Sequence, residues 1–388
     1  MTIEAIIQAV EERRDTWQKI SQAIGQRPEL GNEEHFAQKT LGESLHQEGF
    51  EVTYGVADTP TSFMAVYDSG KPGARIGYMS EYDALPDIGH ACGHNLIGTQ
   101  SAAAAVALKD TVNQAGGAVY VFGTPAEETN GAKVTMANAG LFDHLDAAMM
   151  AHPSSDFVKS GTSLAMDAIE LRFHGKTAHA AAAPDQGINA LDAVIQTFNG
   201  INALRQHTPD HARIHGIIPE GGTAANVVPD YAVARFYVRA ATRQDVDVLA
   251  DKLMRVARGA ALATGTRLES ANYEFSYDQM ATNEPLSDLF TSALLQLGIP
   301  QHDIVEEKAG SGSIDMGNVS LRCPAIHPYV RISDTPVNGH THEFREASLS
   351  ERGFEGMMTG AKALALTGYQ LLSDAEAKQK VQKAFQRL

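Results

Sequence analysis

The sequence predicts an α/β protein in which a smaller α+β domain interrupts a larger layered one. Three observations carry that expectation. The chain has 388 residues, more than one hydrophobic core fills. Helical and strand periodicities alternate through the first part of the chain, and that rhythm changes between residues 166 and 279 before it returns. The expected division is therefore 1–165 with 280–388, and 166–279.

The elements follow in order. Apolar residues at helical spacing fill the opening segment to about Ile24 and again Glu33 to Gln47. Short β-rich runs at Phe50 to Tyr54, Ser62 to Tyr67 and Arg75 to Met79 are punctuated by Gly, Pro and Asp. The Ala-rich stretch Leu96 to Lys109 reads as a buried helix; a strand (Ala118 to Phe122), a helix (Ala132 to Ala139) and a strand (Ala147 to Met150) come next. The middle segment runs strand (Ala168 to Phe173), helix (Ile188 to Leu204), strands (Arg213 to Pro219, Tyr231 to Arg239), helix (Asp245 to Leu262) and strand (Arg267 to Phe275). This β-α-β-β-α-β order is that of the ferredoxin-like unit. Helices from Asn283 and from Ala347 onward, with HPYVRI between them as a strand, complete the larger domain.

Composition narrows the function. Apolar residues make up 43% and charged residues 20%, an ordinary globular balance. The opening segment lacks the apolar core of a signal peptide, and no apolar run approaches the ~18 residues of a membrane span, so a cytoplasmic protein without a membrane partner is expected. Two cysteines, Cys92 and Cys323, make a disulfide framework improbable and leave thiols available for metal. A net charge of −16 without a Lys/Arg-rich run argues against nucleic acid.

Chemistry concentrates where strands end. Cys92 and His94 lie in GHACGHN, a Gly-flanked turn ahead of the Ala-rich helix, and pair the sulfur and imidazole ligands that zinc prefers. PAEE, residues 125–128, follows the next strand with two adjacent carboxylates that point different ways, so that one can coordinate metal while the other takes a proton from water, unless they simply open a solvated helix. His152 in AHP ends a third strand, and Asp83 in EYDALP adds a carboxylate on the same edge, able to orient a ligand imidazole. His90 suits packing better than ligation.

EYDALP, GHACGHN, PAEE, AHP, GKTAHAAAAPDQGINA, GSGSIDMGNVS and HTHEF together resemble the aminoacylase and glutamate carboxypeptidase clan of two-metal peptidases, in its amidohydrolase branch. The resemblance spans nearly the whole chain. It implies a mixed sheet with helices on both faces, an inserted lid domain through which a homodimer forms, and two divalent ions, zinc or manganese. It implies Cys92, His94, Glu128, His152 and His340 as metal ligands and Glu127 as general base. His342 competes with His340 for the last place, which only the family register assigns. His179 resembles a histidine that stabilises the oxyanion across the dimer, while Asn226 and Arg239 resemble substrate-binding positions, where a guanidinium suits a carboxylate.

The chain departs from the branch at Glu81, where many members carry histidine or Asp, and at Asn95, where Asp is common. The expected reaction is hydrolysis of the amide bond of an N-acyl amino acid or dipeptide, of the p-aminobenzoyl-glutamate, Xaa-Arg or β-alanyl-lysine type. The competing readings are a cysteine-nucleophile amidase using Cys92, a metal-binding scaffold without catalysis, and a closed structural zinc site.

Overall fold

A computed structural model describes residues 2–306 and 312–386. The chain divides into two compact units. One comprises Met1–Thr162, Met280–Ala309 and Asp315–Leu388; the other comprises Ser163–Gln279 and Gly310–Ile314. Gly310 and Ser311 of the GSGSIDMGNVS motif lie outside the described residues.

The larger unit is built on a six-stranded mixed sheet. Its order across the sheet is Glu51–Tyr54, Phe63–Asp68, Ala118–Gly123, Arg75–Ser80, Ala147–Met149 and Ala325–Ile326. The last four strands run parallel, with Arg75 paired to Ala118, Ile76 to Ala147 and Ala325 to Ala148, so their carboxyl ends share one edge. Phe63–Asp68 pairs antiparallel to Ala118–Gly123. Parallel strands buried on both sides read as continuous apolar runs, and Ala118–Gly123 is buried at every position.

The helix His94–Ala107 packs across Arg75–Ser80, and all of its residues are buried. Its alanines let it sit close to the sheet while the long helix Glu351–Ser373 covers its other side. A second, four-stranded sheet of short strands pairs His152–Ser154 in parallel with Tyr329–Arg331, in the register His152 to Tyr329. None of its strands exceeds three residues, too few to show a period in the sequence.

The smaller unit is an antiparallel sheet in the order Arg267–Asn272, Ala165–His174, Tyr231–Ala240, Arg213–Glu220. Helices Ala190–Leu204 and Arg243–Thr264 pack on it around Leu171, Phe173, Val194, Phe236 and Leu253. Asn189 and Thr242 cap the two helices by accepting the N–H groups of Asp192 and Asp245.

Two sequence expectations change. The opening helix is two helices, Ile3–Glu11 and Arg14–Gln26, broken where Arg13 leaves helical geometry. The closing helix is three, His342–Ser348, Glu351–Ser373 and Ala375–Phe385, each started by a side-chain cap from Thr341, Ser350 and Asp374.

Candidate metal centre

The turn at GHACGHN opens on Gly93, whose φ of +76° places it in the left-handed region that glycine alone enters without cost. A Cβ there would also lie 2.8 Å from Pro153 Cγ, so the turn seats directly against the strand carrying His152. As a result Cys92 Sγ lies 3.3 Å from His152 Nε2. The ligand atoms of Cys92, His94 and His152 fall within 4.8 Å of one another, as do those of Cys92, Glu128 and His340, and those of His94, Glu127 and Glu128. These overlapping groups bring together every ligand and the base expected from sequence. His340 Nε2 stands 3.2 Å from Glu128 Oε1, whereas His342 begins the following helix and belongs to no such group among the described residues.

The surroundings fix the tautomers. His94 Nδ1 donates to Asp83 Oδ1 at 3.0 Å, which turns Nε2 inward, where it is buried without a hydrogen-bond partner. His152 Nδ1 donates to the Pro153 carbonyl at 2.8 Å, leaving its Nε2 lone pair toward Cys92. Asp83 does more than orient one imidazole: its Oδ2 accepts the Glu128 N–H at 3.0 Å and so ties the PAEE turn to the same carboxylate. That turn passes through Ala126 at φ +62°, and the Ala126 N–H donates to buried Glu34 at 2.8 Å. Burial and the nearby Asp83 push Glu34 up to about 7.

The electrostatics suit a cation. Desolvation, then Glu81, Asp315 and Glu128, push the Glu127 carboxyl well above its ordinary range. Burial opposes a charge on His94, but the buried Asp83 carboxylate outweighs it and raises its pKa, so the protein favours positive charge at that ring. Burial holds the Cys92 thiol up at about 12 and lowers His152 to about 3. Burial outweighs the pull of the nearby His94 and leaves the sulfur a thiol rather than an activated nucleophile, whereas a metal ion deprotonates a coordinating thiol outright.

His90 is buried, with neither ring nitrogen hydrogen-bonded, and belongs to none of the ligand groups. Asn95 turns away: its amide donates to Ser21 Oγ at 3.2 Å and to the Ser348 carbonyl at 3.3 Å, so this departure from the branch serves helix packing. Glu81 remains at the site, 3.5 Å from His94 Nε2 and bonded to Lys133.

Sequence reasoning missed Lys133 and His327. His327 ends the fourth parallel strand, its ring centroid 5.5 Å from that of His152. The signal was there to read, since an apolar run closes on His-Pro at residues 327–328 as it does at 152–153.

In the smaller unit, His179 and Asn226 lie on neighbouring segments, with the Ala180 N–H donating to the Asn226 carbonyl. His179 Nδ1 accepts the N–H groups of Ala181 and Ala182, which leaves Nε2–H exposed as a donor. Arg239 lies over the Tyr237 ring and donates to Ser313 Oγ at 2.9 Å. Among the described residues it forms no ion pair, unlike Arg172, Arg235 and Arg243 on the same unit.

Thiolate, imidazole and carboxylate donors converging at the carboxyl edge of a parallel sheet define a metallohydrolase class, and comparison with known proteins narrows it. A peptidase dimerisation domain matches residues 166–264. The Xaa-Arg dipeptidase of Mus musculus is 34% identical over 97% of this chain and 90% of its own length. A p-aminobenzoyl-glutamate hydrolase polypeptide of Escherichia coli is 35% identical over 76% of this chain and 65% of its own length. A dinuclear metal-binding peptidase of the M20 family from Bacillus subtilis shares the fold, with a TM-score of 0.67 at 19% identity, over 93% of this chain and 99% of that one. The chain belongs to the M20 family of peptidases, which makes it a metal-dependent hydrolase. No helix among the described residues is long and apolar enough to cross a membrane.

Proposed function

We propose that the protein hydrolyses the amide bond of a dipeptide or N-acyl amino acid, with dipeptides ending in a basic residue first and p-aminobenzoyl-glutamate second. The near full-length likeness to a Xaa-Arg dipeptidase supports that ranking. The observation carrying the chemistry is the convergence of the three ligand groups, with His94 Nε2 turned inward and unpartnered.

In this reading Cys92, His94, Glu128, His152 and His340 hold two divalent ions, zinc or manganese. The sulfur and paired imidazoles favour zinc. When bound, the ions polarise the scissile carbonyl and acidify water. Glu127, on the PAEE turn held by Glu34 and Asp83, takes a proton from the attacking water and delivers it to the leaving nitrogen. Desolvation and neighbouring carboxylates raise its affinity for a proton, which makes the Glu127 carboxylate a stronger base than a solvated one. Asp83 keeps the His94 ring in one orientation through both steps. His179 supplies an Nε2–H donor to the oxyanion, Asn226 contacts the substrate backbone, and the unpaired Arg239 grips its carboxylate in two parallel bonds.

The peptidase dimerisation match supports a homodimer formed through the smaller unit. Both cysteines are free thiols, in keeping with a cytoplasmic setting.

The test is hydrolysis of Xaa-Arg dipeptides, β-alanyl-lysine, p-aminobenzoyl-glutamate and hippurate by chelator-treated protein, before and after addition of zinc or manganese. Turnover restored by metal is expected. Silence on every substrate with metal bound, or turnover indifferent to chelation, overturns the reading.

A further inference from the structure

Lys133 is a buried cation that the mechanism above leaves without a role. Its side chain has no exposed surface, and Nζ donates at 2.6 Å to Glu81 Oε1 and at 2.6 Å to Asp315 Oδ1. Each carboxylate gives one oxygen to the ammonium. The other two, Glu81 Oε2 and Asp315 Oδ2, are buried without hydrogen-bond partners. Glu81 Oε2 lies 3.5 Å from His94 Nε2, within ion-pair distance, and neither atom has a hydrogen-bond partner.

An anionic oxygen thus faces the very nitrogen that would hold an ion. Carboxylates are good ligands for zinc and manganese, and an ion at His94 would draw Glu81 in as one more ligand. Catalytic metal sites work by keeping a position open, and an added carboxylate would close it. What restrains Glu81 is the ammonium on its other oxygen: a contact between full charges, buried from bulk solvent, resists rotation of the carboxylate.

We propose that Lys133 is a positioning residue that withholds Glu81 from the metal ion at His94 and thereby keeps a coordination position open. The proposal rests on the metal-site reading above. It differs from simple charge neutralisation of buried carboxylates, which would affect folding but not coordination number.

The experiment titrates metal-free wild type, Lys133→Met and Lys133→Met/Glu81→Gln with zinc by calorimetry, and records the visible absorption of each protein loaded with cobalt. Lys133→Met is expected to bind zinc more tightly, on the order of tenfold. Its cobalt bands should weaken, as they do when coordination number rises, and kcat should fall with KM little changed. Adding Glu81→Gln should return affinity and spectrum to those of wild type. A folded Lys133→Met with unchanged or weaker affinity and an unchanged spectrum overturns the proposal. Should Lys133→Met fail to fold, Glu81→Gln alone decides, because a residue withheld from the metal can be neutralised with no change in affinity or spectrum; loss of either would show that Glu81 is already a ligand. A wild type that binds no divalent ion would instead sink the metal-site reading itself.

Discussion

Replacing Asp83 by Asn removes a charge while keeping the shape, and its effect follows from two hydrogen bonds. Oδ1 accepts from His94 and Oδ2 accepts from the Glu128 N–H, each at 3.0 Å, on a carboxylate that is itself buried. Burial works against the Asp83 charge, but His94 and the Glu128 amide outweigh it and hold the carboxyl below its ordinary range. An asparagine offers one oxygen and one NH2, so one of the two donors must face another donor. The lost charge-assisted bond costs about 1.5–3 kcal/mol and the orphaned donor about 1–3 kcal/mol more. That is a large part of the ~5–15 kcal/mol that holds a typical protein folded. The metal-free variant should melt well below wild type. The main-chain carbonyl of residue 83, also 3.0 Å from His94 Nδ1, can still accept from the ring, but the charged acceptor that holds it is gone, and zinc affinity should fall about 10–100-fold. Thermal unfolding of the metal-free protein and calorimetric zinc titration measure the two effects. Wild-type zinc affinity in a folded Asp83→Asn protein would refute the reasoning that Asp83 organises the site.

Three further outcomes follow. Glu127→Gln should retain metal, seen as an unchanged binding stoichiometry, while turnover falls about 10²–10⁴-fold; retained turnover would remove Glu127 as the base. Gly93→Ala forces a side chain into the left-handed region, at about 1–2 kcal/mol, and against Pro153, so the melting temperature and zinc affinity should drop together. The bond from Arg14, then the proximity of Lys362, lowers Glu11 from 4.5 to about 2. A depressed carboxylate stabilises the fold above its unfolded pKa, and this contribution is lost as pH falls from about 4.5 toward 2. Metal-free Glu11→Gln should therefore show a shallower acid limb in a plot of melting temperature against pH.

The strand ends were legible because their chemistry is local. GHACGHN, PAEE and AHP each follow an apolar run, and parallel strands deliver such ends to one edge whatever the details of packing. Lys133 was not legible. In sequence it is an ordinary helical lysine, and only Glu81 and Asp315, 52 and 182 residues away, make its burial tolerable. The direction of Asn95 was equally hidden: its neighbour His94 faces the site, while one residue further round the helix the side chain points to Ser21. His340 and His342 are separated by a helix start, since His342 opens a helix capped by Thr341 whereas His340 adopts φ +64° just before it. Helix breaks of this kind depend on caps and single dihedrals, which periodicity averages away.

The order of the ligand atoms along the chain also sets a timetable. Two of the three groups are complete once residue 152 has been made, but the third waits for His340, near the end of the chain. The last strand of the six-stranded sheet and the long helix that covers His94–Ala107 also come late, at Ala325–Ile326 and Glu351–Ser373. During synthesis at ~5–20 residues per second, a growing chain therefore presents a thiol, two imidazoles and two carboxylates well before it can enclose them. Under the proposed ligand assignment, the most abundant divalent ion at that stage would have the first opportunity to bind, and the metal content of an isolated sample would then follow cellular supply as well as the preference of the finished fold.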